Sequence, residues 1–184
     1  MPTEANNKTA LESPAPNFSL PDVVTGKTVT LSELPPARAL LVMFICRHCP
    51  YVVHVREEFL RIARDYASKG LSVIAICSND ADQYPEDAPG KLKEMAISHN
   101  FPFPLLYDAS QQTARAYDAK CTPDFFLYNP QRRLDYRGRL DSSTPGNGHP
   151  VTGDEMRAAI DAVLEGARPP ADQKSALGCS IKWK

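Results

Sequence analysis

Two cysteines three positions apart, Cys46 and Cys49, are the residues of this sequence most suited to chemistry, and Pro50 follows them directly. A Cys-x-x-Cys pair where a strand passes into a helix is typical of a redox site or a metal site. A sulfur at the start of a helix lies near free backbone N–H groups and the positive end of the helix dipole. These groups lower the pKa of a thiol, and the thiolate is the nucleophile. We therefore predict that Cys49 is a reactive sulfur at a helix start, with Cys46 as its upstream partner.

The segments on either side of this pair predict the elements that hold it. Residues 39–45 are a continuous apolar run, as expected for a strand buried on both faces. Pro50 suits the first turn of a helix, and Lys69-Gly70 suits its end. Residues 71–77 are a second buried run. Because strand–helix–strand units join parallel strands by a right-handed crossover, we predict such a unit over residues 39–77.

The remaining segments complete an α/β domain. Short strands around Thr25-Gly26 predict a hairpin near the N-terminus. The other predicted elements are helices over residues 91–100, 110–117 and 152–165 and strands over residues 104–107, 124–128 and 134–139. This order predicts a three-layer α/β/α sandwich around a central mixed sheet, with an N-terminal β-hairpin extension. We predict a flexible arm over residues 1–12, one domain over residues 13–165 and a tail over residues 166–184.

Composition argues against several classes of protein. The 184 residues include 21 basic and 22 acidic side chains, for a net charge of -1, so we expect neither nucleic acid nor a membrane as a partner. No apolar run approaches the ~20 residues of a membrane-spanning helix. The N-terminus lacks the apolar segment of a secretory signal. Five cysteines are an odd number for a secreted disulfide framework, so we expect a cytoplasmic protein.

Three motifs resemble the thioredoxin superfamily and, within it, the peroxiredoxin-like AhpC/TSA branch: Phe44–Pro50, Thr122-Pro123 and Gly178–Trp183. The resemblance covers about residues 13–165 and implies a thioredoxin-like fold. It also implies a cis peptide bond at Pro123 that faces the reactive cysteine. In thioredoxins an aromatic residue lies five positions before the nucleophile, and Phe44 lies five positions before Cys49. The second thioredoxin cysteine would fall at Val52 and is missing.

Two positions differ from peroxiredoxins. Cys46 lies where those proteins have Thr or Ser, and Pro123 lies where they have Arg. The peroxiredoxin groups hold peroxide and stabilise its transition state. Our first prediction is therefore a thiol–disulfide oxidoreductase with Cys49 as nucleophile, which acts on protein or small-molecule disulfides and needs a thiol reductant. The alternative is a thiol peroxidase that reduces hydroperoxides.

The remaining cysteines leave the resolving sulfur open. Cys121, next to Thr122-Pro123, could resolve a mixed disulfide, bind a metal or simply pack. Cys179, in the tail, could resolve Cys49 or be a bystander. Cys77 ends a buried strand and is predicted to be structural. The predicted catalytic set is Cys49, Cys46, Cys121, Thr122 and Pro123, with Cys179 as a further resolving candidate.

A third hypothesis is a metal-binding module. Cys46, Cys49 and Cys121, together with His48, offer soft ligands for Cu(I) or Zn²⁺. No organic cofactor is predicted, because the sequence has neither a phosphate-binding loop nor a dinucleotide motif. The acidic residues of the loop after residue 77 lack metal-loop spacing, and we expect them to be solvated: Asp80, Asp82, Glu86 and Asp87.

Overall fold

A computed structural model describes residues 2–5 and 9–184 of the chain, in which ten strands and four helices are found. The strands are β1 (Thr3–Glu4), β2 (Ser19–Pro21), β3 (Thr28–Thr30), β4 (Ala39–Phe44), β5 (Leu71–Cys77), β6 (Leu105–Tyr107), β7 (Cys121–Thr122), β8 (Asp124–Tyr128), β9 (Leu134–Gly138) and β10 (Leu177–Ser180). The helices are α1 (Pro50–Ala67), α2 (Pro89–Ser98), α3 (Gln112–Ala116) and α4 (Asp154–Leu164).

Five strands form the central sheet in the order β6-β5-β4-β8-β9. β4, β5 and β6 run parallel, whereas β8 pairs antiparallel with both β4 and β9. Every residue of β4 is buried, because its apolar side chains meet a packed layer on each face of the sheet. This arrangement confirms the predicted mixed sheet and the parallel strand–helix–strand unit over residues 39–77.

Two hydrophobic clusters lie on opposite faces of the sheet. Alternate residues of β4 (Ala39, Leu41 and Met43) pack with apolar residues of α1, α2 and α4. The intervening residues of β4 pack with α3 and with the hairpin formed by β2 and β3. The three-layer α/β/α sandwich with its N-terminal hairpin is therefore confirmed. Within the described residues no helix combines the length and apolar character needed to cross a bilayer.

Helix α1 begins where the sequence predicted. Cys49 is its N-cap residue, with extended backbone angles, and Pro50 occupies the first turn. Proline is favoured there because its missing N–H would have no partner inside the helix. The buried face of α1 includes Val52, Val55 and Phe59, which anchor the helix on the sheet. The end of β4 and the start of α1 are thereby fixed on either side of the cysteine pair.

A second, three-stranded sheet joins both ends of the chain to the segment before Pro123. Its order is β1-β10-β7, with all neighbours antiparallel, and Cys179 of β10 lies opposite Thr122 of β7. None of these three strands was predicted. Residues 3–4, which the sequence assigned to a flexible arm, pair with β10, while residues 1 and 6–8 of that arm lie outside the described residues. The division into arm, domain and tail stays a prediction.

Candidate active site

The cysteine pair lies at the carboxyl end of β4. The chain leaves that strand after Phe44, and the backbone N–H of Ile45 still donates to Ile76 of the neighbouring strand, at 2.9 Å. Cys46 follows, and Cys49 ends the connection as the N-cap of α1. Both cysteines have 0% of their surface exposed. A strand and a helix of the packed core therefore fix the positions of both sulfurs.

Thr122 and Cys179 complete a cluster of polar groups around this pair. The Cys46 Sγ lies 3.2 Å from Thr122 Oγ1, and the Cys49 thiol donates to the Thr122 carbonyl oxygen at 3.2 Å. The Thr122-Pro123 peptide bond is cis, as the resemblance implied. Cys179 lies opposite Thr122 in the sheet, and its thiol, like that of Cys46, is close enough to Cys49 to influence the pKa of that sulfur. Cys49 thus lies beside two other thiols.

The surroundings of Cys49 favour its thiolate. The hydrogen bond from Cys46 is the largest cause, and it lowers the pKa of Cys49 to about 5 despite the opposing effect of burial. The Cys179 thiol and the backbone N–H groups of Val52 and Cys179 lower this pKa further. Donors aimed at a sulfur stabilise its charged form. The same proton sharing, together with burial, raises the pKa of Cys46 strongly, so the negative charge lies on Cys49.

We expect this difference to appear directly in a pH titration. The ultraviolet absorbance of the thiolate, taken as wild type minus Cys49→Ser, should rise with a midpoint near pH 5. Because the folded-state pKa is below the ordinary value of 9.0, ionised Cys49 contributes to folding stability fully above about pH 9. That contribution shrinks as the pH falls and is lost below about pH 5. A difference titration with its midpoint near the ordinary thiol value would contradict the assignment.

A buried carboxylate lies behind Cys46. Asp87 has 0% of its surface exposed and accepts hydrogen bonds from the backbone N–H of Arg47 at 2.8 Å and the Asn79 side chain at 2.8 Å. The Nδ1 of His48 lies 2.7 Å from the same carboxylate. The charge of Asp87 also raises the pKa of Cys46. The connection between β4 and α1 is thus held in place by an acid that also disfavours a thiolate at Cys46.

The prediction of a solvated acidic loop was wrong for Asp80 and Asp87, which are both buried. The loop directly follows β5, and the carboxyl ends of parallel β4 and β5 meet at one edge of the sheet. Its polar side chains consequently face the same edge as the cysteine pair. That adjacency is the sequence signal that could have indicated Asp87 as a site residue.

The structure brings some of the predicted site residues together and separates one. Cys46 and Cys49 both contact Thr122, Cys179 lies opposite Thr122 in the sheet, and Pro123 follows Thr122 directly. Cys121 packs instead with Ala5 and Ala176, and its thiol donates to the Pro123 carbonyl oxygen at 3.5 Å. Burial raises the pKa of Cys121 and of Cys77, which suits two thiols packed in the core.

The predicted set of metal ligands is not assembled. Among the described residues, the one group of three ligand types with atoms within 4.8 Å of one another comprises Cys46, His48 and Asp87, without Cys49 or Cys121. Sulfur, imidazole and carboxylate together would suit Zn²⁺. Asp87 in this group already accepts hydrogen bonds from Arg47 and Asn79. Through these hydrogen bonds Asp87 holds the connection that carries Cys46 and His48.

Comparison with known proteins identifies relatives of this chain. Residues 11–137 match the AhpC/TSA family. The thiol-disulfide oxidoreductase ResA of Bacillus subtilis (strain 168) is 28% identical over 127 residues, which cover 66% of this chain and 63% of ResA. The chain therefore spans less than two thirds of the length of ResA.

Solved structures extend the comparison to the whole chain. An uncharacterized conserved protein from Geobacillus kaustophilus is 50% identical, with a TM-score of 0.97, over 100% of this chain and 97% of that one. A hypothetical protein from Sinorhizobium meliloti 1021 is 47% identical, with a TM-score of 0.94, over 97% of both chains. More distant structures of thioredoxin-like proteins, 16% to 24% identical with TM-scores of 0.59 to 0.67, share the fold.

Proposed function

The chain belongs to the AhpC/TSA family of the thioredoxin superfamily, and on that premise we propose that it is a thiol–disulfide oxidoreductase with Cys49 as its nucleophile. The family match and the similarity to ResA support a thiol-dependent oxidoreductase. The proposal depends most on one observation: the Cys49 sulfur lies at the start of α1, and both Cys46 and Cys49 contact Thr122, with Cys179 opposite Thr122 in the sheet. A disulfide formed at Cys49 therefore has a second thiol beside it.

The reaction requires two exchanges. The Cys49 thiolate attacks one sulfur of the substrate disulfide, forms a mixed disulfide and releases the other substrate sulfur as a thiolate, which takes up a proton. The thiol of Cys46 then loses its proton and attacks the Cys49 sulfur, which releases the second substrate thiol. The substrate disulfide is reduced by two electrons, and the cysteine pair is oxidised to a Cys46–Cys49 disulfide. A thiol reductant must then restore both thiols.

The test is alkylation mapping of the fully reduced protein. One equivalent of glutathione disulfide is added, the reaction is quenched with an alkylating agent over seconds to minutes, and each cysteine peptide is quantified by mass spectrometry. We expect Cys49 to be consumed first, followed by a mapped disulfide between Cys49 and Cys46. Cys77, buried at the end of β5, is the internal control and should stay free. Equal consumption of all five cysteines, or none at Cys49, would contradict the proposal.

A second candidate function is peroxide reduction, because Cys49 is completely buried and a small oxidant has easier access to it than a disulfide has. A small hydroperoxide needs a smaller displacement of β10 than a disulfide does. The Cys49 thiolate would displace an alcohol or water from the peroxide and become a sulfenic acid, and a neighbouring thiol would condense with it to a disulfide and water. Repeating the alkylation experiment with hydrogen peroxide separates the two functions. Loss of Cys49 within seconds to peroxide, but not to the disulfide, would favour a peroxidase.

A further inference from the structure

With β10 in place, the sulfurs of the buried pair are out of reach, so a substrate disulfide reaches Cys49 only when β10 opens, whereas a reductant can reach Cys179 without that opening. Cys46 and Cys49 both have 0% of their surface exposed. Strand β10 pairs with β7, which places Cys179 opposite Thr122, whose carbonyl oxygen lies 3.2 Å from the Cys49 sulfur. Cys179 also lines a surface cavity together with Pro50 and Tyr51 at the start of α1. Cys179 itself is partly exposed. A thiol reductant, which must attack a sulfur along the axis of the disulfide bond, therefore meets Cys179 before it meets either member of the pair.

Strand β10 is fixed at both ends. On one side Ala176 accepts a hydrogen bond from the backbone N–H of Ala5 at 2.9 Å. On the other side the backbone of Lys182 donates to the Asn79 side chain at 2.9 Å and accepts from Asp80 at 2.9 Å. The ring of Trp183 next to it packs against the Arg115 guanidinium. These contacts hold Cys179 beside Cys49 when β10 is in place.

We propose that Cys179 is the sulfur through which electrons enter this site. This assignment rests on the proposed function of Cys46 and Cys49. It gives the chain a relay, by which we mean three sulfurs that exchange disulfide bonds in sequence. Cys46 is the innermost sulfur, Cys49 is the central one, and Cys179 is the one at the surface. The reductant is a dithiol, either a small molecule or an exposed cysteine pair of a protein, and it reacts at Cys179.

The relay consists of three thiol–disulfide exchanges. The Cys179 thiolate attacks the Cys49 sulfur of the Cys46–Cys49 disulfide, a Cys179–Cys49 bond forms, and Cys46 leaves as a thiolate that takes up a proton. The external dithiol then attacks the Cys179 sulfur, and Cys49 leaves as a thiolate. The second thiol of the reductant breaks the mixed disulfide and releases Cys179. Two electrons have entered the protein, and the reductant leaves as a disulfide.

The charges around Cys179 change in the direction that the relay needs. In the reduced protein, burial raises the pKa of Cys179 to about 12, with further contributions from its hydrogen bond to Cys49 and from the negative charge there. Oxidation of Cys49 removes that charge. Lys182, which lowers the pKa of Cys179, stays beside it. Cys179 is therefore a better nucleophile when the buried pair is a disulfide than when it is reduced.

The surface beside Cys179 has room for an incoming thiol. A cavity of about 310 Å³ is lined by Pro2, Pro50, Tyr51, Cys179, Ser180 and Lys182. Cys49 is also the better leaving group, because its lowered pKa stabilises the departing thiolate. Attack on a Cys179–Cys49 disulfide is thus favoured at the Cys179 sulfur, both by access and by the leaving group.

The test measures reduction of the oxidised protein by dithiothreitol in wild type, Cys179→Ser and the matched control Cys77→Ala. We expect the Cys179→Ser protein to be reduced at least about tenfold more slowly, since attack must then occur at a buried disulfide. Disruption of β10 by the substitution would expose the disulfide and accelerate reduction, so slower reduction is not explained by local unfolding. Rates for Cys179→Ser that equal or exceed those of wild type would overturn the proposal.

A second variant isolates the intermediate. Cys46→Ser leaves Cys49 and Cys179 as the contacting pair, and we expect mild oxidation with diamide to give a Cys49–Cys179 disulfide detected by peptide mass mapping. Recovery of Cys49 in other disulfides, without Cys179, would overturn the relay. The wild-type protein separates failure of the relay from failure of the proposed function. If the proposed function is wrong, Cys49 of the wild type does not react with glutathione disulfide at all.

Discussion

Replacement of Cys49 by serine should reduce the rate of disulfide reduction at least about a thousandfold, as is typical when a covalent nucleophile is removed. A serine hydroxyl stays protonated at neutral pH, whereas the hydrogen bonds from Cys46, Cys179 and the start of α1 lower the pKa of the Cys49 thiol. Serine also cannot form the mixed disulfide on which both exchanges depend. The rate should be measured as the release of glutathione in a single turnover of the fully reduced protein with glutathione disulfide, after removal of dithiothreitol, which would reduce that disulfide directly.

The Cys77→Ala variant is the matched control for this substitution. It also removes one buried thiol, but from the end of β5, where the pKa of the cysteine is raised by burial. It should retain a rate within about threefold of wild type, with a loss of stability of about 1 kcal/mol as for small core truncations. A Cys49→Ser protein that still reduces glutathione disulfide at the control rate would show that another sulfur is the nucleophile.

The core of the fold and the position of Cys49 were predictable because their signals are local. The strand over residues 71–77 has the predicted bounds, since a continuous apolar run marks a strand buried on both faces. The start of α1 follows from Pro50, and it places Cys49 at the N-cap. The chemistry at Cys49 could therefore be inferred before its neighbours were known.

Strand β10, which lies over Cys49, was not predictable because the contacts that form it are between distant parts of the chain. Strand β10 exists because residues 177–180 pair with β1 near the N-terminus and with β7 in the middle of the chain. Each of these strands has two to four residues, too few to show the alternation by which a strand is recognised. One signal was present: a glycine next to Cys179 is typical of a close approach between two backbones.

A substitution at Gly178 tests how tightly β10 packs on β7 above Cys49. A Cβ atom built at this residue would lie 2.0 Å from the carbonyl oxygen of Thr122 and 2.6 Å from its carbonyl carbon. Both atoms belong to backbone, so no side chain can rotate away. Gly178→Ala should therefore force β10 from β7, at a cost of about 1–3 kcal/mol in unfolding free energy, the usual penalty for overpacking.

The same displacement should make Cys49 reactive toward large reagents. If opening of β10 becomes easier by 1–3 kcal/mol, alkylation of Cys49 through the open state should accelerate about 5- to 150-fold. The measurement is the rate of Cys49 modification by N-ethylmaleimide, followed by peptide mass spectrometry. Gly90→Ala is the control, because a Cβ atom at Gly90 in α2 meets nothing within 4 Å. If both variants were alkylated at the wild-type rate, β10 would not be what limits access to Cys49, and reagents would reach the buried sulfur by another route.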